Sequence, residues 1–326
     1  MTPFLWFIAG FLIIAALVLV VLTFVPAYRA ASVRLMARTV GLALPAGPLD
    51  SLEANFAGRS RASATGALIG AVLVVAALVT GVIPTQNPPS LGGAAEIWLL
   101  VGGWYVGMGV GAAVRALSVR TPVPVGERFA RPGAVDLRDY LAPIDLIGGR
   151  LAVTAGIIVL TLATVVAVNG QGVSPVSVIF SVGGIVVLLS IASLIVFEIA
   201  ARRILDRAQP AASPEALAWD DAIRAMTVRE IVTAPLSLGV WGSLAIGILL
   251  SDGFSEGNAW PVGLIVVSVL VLIIALGILV AAVYSIASKP QQHYLRRLWP
   301  DVAAQAEAHD SAQRTQAAAA AGRISR

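Results

Sequence analysis

The residues best equipped for chemistry lie in one short stretch, AWDDAIRAMTVREI, residues 218–231, in a chain where only 12% of residues are charged. Asp220, Asp221 and Glu230 offer carboxylates; Arg224 and Arg229 offer guanidinium groups. A hard cation would take the carboxylate oxygens. Adjacent residues on a helix, however, point about 100° apart, so Asp220 and Asp221 are poorly placed to share one ion. At that angle Trp219, Ala222, Ile223 and Met226 form one face, and Asp220, Asp221 and Arg224 the other. Arg224 follows the two aspartates by three and four residues, the spacing of ion pairs on an exposed helix. Ser213 and Pro214 supply an N-cap and a first-turn proline, so the spacing predicts an amphipathic helix from there into the following apolar segment. On this reading the stretch is an interfacial or partner-binding helix, no metal site is expected, and exchanging both aspartates for Asn leaves folding unchanged.

Other catalytic chemistries lack their residues. Cysteine is absent, which removes disulfides, thiolate metal sites and cysteine nucleophiles. The two histidines, His293 and His309, lack the spacing of a zinc-binding H-E-x-x-H pair. A retinal Schiff base needs a lysine deep among helices, and the single lysine, Lys289, follows the last apolar segment. No P-loop is present, and GMGVGAA at 107–113 resembles a nucleotide-binding glycine pattern only inside an apolar span. No catalytic residue and no cofactor are expected. An enzyme acting on lipid headgroups would need Asp139, Asp145 and Asp220 to converge.

The elements that carry these residues follow from composition. With 58% hydrophobic residues and a mean hydropathy of +0.89, the chain cannot present a soluble surface. A helix crosses a hydrocarbon core in about 20 residues. Segments 3–25, 64–83, 97–117, 151–168, 176–197, 231–250 and 262–287 meet that length. The expected fold is therefore an all-α polytopic transmembrane helix bundle of seven spans. It comprises a membrane domain over 1–287, with partly helical cytoplasmic arms at 26–63, 118–150 and 198–230. A cytoplasmic tail at 288–326 is expected to be disordered toward its end, being rich in Ala and Gln.

All 22 Lys and Arg residues fall in the three long connections, at the adjoining end of the third span (Arg115) or in the tail, and none falls in the intervening loops. The positive-inside rule then sets the N-terminus out and the C-terminus in, at the plasma membrane. Trp6, Trp98 and Trp260 fall at the expected outer ends, where indole rings favour the headgroup level. Trp104 and Trp241 lie deeper and are expected to pack between helices. The arms share a plan of Arg-bearing helix, proline-containing break and acidic stretch, recurring roughly every 85 residues as in a weak repeat.

Gly103, Gly107 and Gly111 share one face of the third span, and Gly66 and Gly70 share one of the second, an arrangement that lets helix backbones approach closely. Packing within the bundle is the first expectation; homo-oligomer contact or a thin-walled solute path are the others. No span carries an ionisable residue at its middle, which disfavours a membrane carboxylate relay. The leading functional expectation is a non-enzymatic subunit or assembly factor that engages a protein partner at the cytoplasmic face. A permease or channel-like component for a weakly polar solute is the alternative. Besides that partner, the bilayer is expected to surround the chain, and nucleic acid is not expected to bind.

Overall fold

A computed structural model describes residues 3–45, 49–82, 94–118, 135–168, 174–207, 209, 211, 213–255, 269, 273, 276, 277, 280, 283 and 289–308. Their regular structure is helical: α1 (Pro3–Leu22), α2 (Pro26–Val40), α3 (Asp50–Val79), α4 (Ala94–Ser118), α5 (Leu137–Tyr140), α6 (Pro143–Val168), α7 (Pro175–Ile179), α8 (Val182–Leu205), α9 (Pro214–Ser255) and α10 (His293–Leu298). Residues 300–308 add a further helical stretch.

Six of these helices (α1, α3, α4, α6, α8 and α9) are long and apolar enough to cross a membrane. Their outward side chains are apolar as well: Phe7, Phe11, Leu73, Leu151 and Ile195 are all more than half exposed. Side chains of that kind on a helix surface need an apolar surrounding. The seventh expected span lies largely outside the described residues. Its described positions are helical, and Val269, Ile273, Leu276, Val280 and Val283 lie exposed.

Several element boundaries differ from the sequence expectation. The second, fourth and sixth spans begin well before their apolar runs, at Asp50, Pro143 and Pro214, because an established helix extends at little cost until a breaker intervenes. At α9 this joins the charged stretch and the span into one helix of 42 residues with Pro235 inside it. The fifth span is instead divided. Ser181 accepts a hydrogen bond from the Gly184 amide and starts α8 afresh after the short α7, since a capping side chain satisfies the free amides of a new helix.

Packing is tightest between α3 and α4. A Cβ on Gly66 would collide with the Gly107 carbonyl, one on Gly70 with that of Gly103, and one on Gly111 with that of Ala62. The expected glycine faces thus meet each other, backbone against backbone. On the far side of the bundle Gly239 lies against Ala152 of α6, and Gly183 of α8 against Ile246 of α9.

Apolar clusters form successive levels along α9. The one nearest its start joins Val33, Ala37 and Val40 of α2, Phe56 of α3, Tyr140 of α5, Ala218, Trp219, Ala222 and Ala225 of α9, and Tyr294 and Leu295 of α10. All three connecting arms and the tail therefore share one core at one end of the bundle. Ala303 is buried there too, so the tail packs as part of this cap as far as that residue. The end expected to be disordered, 309–326, lies outside the described residues.

Candidate functional site

The first turns of α9 hold the cap together, with Trp219, Asp221 and Arg224 each tying down other parts of the chain. Ser213 caps the helix through a 3.1 Å bond from the Ala216 amide. Trp219 is buried, donates its indole N–H to the Ala43 carbonyl at 3.2 Å and meets Phe56 edge-on at 6.2 Å between ring centroids. Asp220 pairs with Arg224 at 3.1 Å. Arg224 also donates to the carbonyls of Ile204, Leu205 and Arg207, at 3.2, 3.4 and 2.9 Å. Those carbonyls belong to the last turn of α8 and the residues that follow, where intrahelical donors run out and a guanidinium fork can supply several at once.

Asp221 departs from the sequence expectation. It does not share a water-facing side with Asp220 and Arg224 but is completely buried. Its Oδ1 accepts from the Tyr140 hydroxyl and the Gln209 amide, both at 2.8 Å, and its Oδ2 accepts from the Trp299 indole N–H at 3.0 Å. Helical periodicity assumes one buried and one wet face, whereas here α5, Arg207, Gln209 and the tail surround this part of α9. A buried carboxylate is tolerable when hydrogen-bond donors surround it, as they do here. Beside it, burial pushes the Tyr294 hydroxyl well above the usual tyrosine range, and the Asp221 charge pushes it further. The Tyr294 oxygen is buried without a protein hydrogen-bond partner.

The acids that lipid-headgroup chemistry would need stay apart, each with its own arginine. Asp139 pairs with Arg297 at 3.4 Å, Asp145 with Arg229 at 3.2 Å, and Asp220 with Arg224. Among the described residues no three His, Cys, Asp or Glu side chains gather as a metal site would require. Gly103, Gly107 and Gly111 are occupied by contact with α3. Trp98 and Trp241 stack face to face, 3.9 Å between centroids, so Trp241 packs between helices as expected, against the Trp98 ring of α4.

A second constellation lies deeper, between α1, α2, α3, α4 and α9. A half-open cavity of about 250 Å³ has Tyr28, Arg59, Ser60 and Glu230 at its end nearer the cap, and Leu19, Ala64, Ala67, Trp104 and Met108 toward the bundle. Arg59 donates to Glu230 at 2.5 Å, with both side chains more than four-fifths buried. Met226 sulfur lies 3.9 Å from the same guanidinium. The Nε of Arg59 and the Oγ of Ser63, a further lining residue, are buried without a protein partner. Sequence reasoning missed this site because Arg59 and Glu230 lie 171 residues apart. The local signal was the Arg59, Ser63, Ala67 series at four-residue spacing, which puts a guanidinium, a hydroxyl and a methyl in one row on α3. Trp104, expected to pack between helices, lies between them and lines this cavity.

Six long apolar helices with a folded cap at one end make this chain an integral multi-pass membrane protein. Comparison with protein-family models, with curated proteins and with solved structures returns no match.

Proposed function

We propose that the chain crosses the plasma membrane seven times, with its N-terminus outside, and acts without catalysis as a subunit or assembly factor. Its cap on the cytoplasmic side engages a protein partner. The observation that carries this reading is the single core shared by all three arms and the tail, which makes a preformed surface on one face of the bundle. A seventh crossing is supported by path length. From Asp221 to Ser255, α9 runs away from the cap for about 50 Å at 1.5 Å per residue, while Tyr294 lies back in the cap. The residues between them are about enough to return that distance as helix. The basic arms and tail gathered around the cap support the inward placement of that end.

On the cap, α2 turns Val33, Ala37 and Val40 inward and leaves Arg34, Leu35 and Arg38 exposed, a face suited to a partner with acidic and apolar groups. Where the glycine faces of the second and third spans meet, their backbones touch, so a solute path of the alternative reading would have to run elsewhere along them. Affinity purification of the full-length chain from its native membranes in mild detergent tests the proposal. A stoichiometric partner, lost in an Arg34→Glu, Arg38→Glu double variant that still folds, is expected; a monodisperse monomer without a bound chain would refute it.

A further inference from the structure

We infer that the cavity beside the Arg59–Glu230 pair is a binding site for one membrane phospholipid, its phosphate oxygens taken by Arg59 Nε and the Ser63 hydroxyl.

Two independent features point there. The first is the behaviour of the hydroxyls. Ser32, Thr154, Thr164, Thr227, Thr233 and Ser243 each donate back to a carbonyl one turn earlier in their own helix, the usual arrangement for a helical hydroxyl. Ser63 lies in the middle of α3, is 6% exposed, lines the cavity and makes no such bond. One turn before it, Arg59 Nε is likewise buried without an acceptor. Residues four apart lie roughly 5–6 Å from each other on a helix face, so both donors serve one end of the same space. Both are donors seeking an acceptor, and a phosphate diester offers two non-bridging acceptor oxygens, one for each.

The second feature is the gradient of polarity. Along α3 the wall passes from Arg59 through Ser63 to Ala67, about 12 Å of helix, and Leu19 and Met108 continue the apolar end. The guanidinium end lies next to the cap and the apolar end inside the spanning bundle, the order of head and chain in a lipid leaflet. At ~30 Å³ for each water-sized group, 250 Å³ holds roughly eight of them, enough for a phosphate and the first atoms of a chain. The rest of the chain leaves through the open side, past the half-exposed Leu19. Glu230 cancels the charge of Arg59, so recognition rests on directed hydrogen bonds rather than net charge.

Native mass spectrometry of the delipidated full-length protein, titrated with phosphatidylglycerol and separately with glycerol 3-phosphate, tests the inference. One saturable phospholipid site is expected. Ser63→Ala should weaken it about tenfold or more, the effect of losing a hydrogen bond to a charged group. Leu19→Trp, which narrows the exit from an exposed position, should weaken it as well. Both variants should keep the unfolding midpoint of the parent, since Ser63 bonds no protein group and Leu19 faces outward. Phospholipid binding that neither variant changes would overturn the site. Competition by glycerol 3-phosphate at equal affinity would overturn the lipid assignment in favour of a soluble phosphate ester.

Discussion

Replacing Asp221 tests whether the cap is one cooperative unit. In Asp221→Ala, three donors lose their acceptor: the Tyr140 hydroxyl, itself 2% exposed, and the partly accessible Gln209 amide and Trp299 indole. An unsatisfied buried donor costs about 1–3 kcal/mol, with the lower end applying where water can reach it. The sum is about 3–5 kcal/mol, reduced by relief of the buried charge. Asp221→Asn keeps one oxygen for Tyr140 and Gln209 but sets an amide N–H against the Trp299 N–H, a loss of about 2 kcal/mol. Asp220→Asn disturbs only an i,i+4 pair in which the carboxylate is one-third exposed, worth about 0.3–0.5 kcal/mol. The assay is tryptic cleavage after Arg296 and Arg297 in the detergent-solubilised full chain, with the released peptides identified by mass. Cleavage there requires α10 to leave the cap, so its rate follows the opening equilibrium. Asp221→Asn should be cut about 30-fold faster than the parent, Asp221→Ala faster still, and Asp220→Asn at nearly the parental rate. Equal rates for Asp220→Asn and Asp221→Asn would refute the central role assigned to Asp221 and restore the picture of a solvated acidic face.

Tyr294 links the cap to pH: its folded-state pKa lies above the unfolded value, so the folded chain holds the proton where the unfolded chain releases it. Its contribution is complete below about pH 10 and is lost as pH rises further. Tyr294→Phe should flatten that alkaline decline in urea unfolding. It should also raise stability at neutral pH by about 1 kcal/mol, because it removes a buried hydroxyl without a partner; a large loss at pH 7 would contradict this. In the membrane region, Gly66→Ala or Gly107→Ala must push apart two backbones and should cost about 3 kcal/mol in a thermal-shift measurement. Gly10→Ala, whose added methyl meets no neighbouring element within 4 Å, should not destabilise and should gain about 0.5–1 kcal/mol from helix propensity.

The all-helical membrane class, six of the spans and the glycine faces were legible in the sequence, because they depend on local quantities. Twenty apolar residues in a row must bury their backbone polar groups in a helix, and four-residue spacing fixes which glycines share a side. The N-cap at Ser213 was legible for the same reason. Helix ends were less so. Apolar runs mark what lies in lipid, while the helix continues until a cap or breaker stops it, as at Pro143 and Ser181. The apolar face of α9 was legible as well, Trp219 and Ala222 being buried in the cap; only the tertiary structure decided that Asp221 is buried too. The periodicity of AWDDAIRAMTVREI separates its side chains by angle, but an angle becomes a face only when neighbours are placed around it. Tyr140 and Trp299 arrive from distant parts of the chain, Gln209 from just before α9, and together they turn Asp221 inward. Arg59 and Glu230 meet in the same way, through helices far apart in sequence. Pairings of that range follow from the packing of whole helices, which no local pattern encodes.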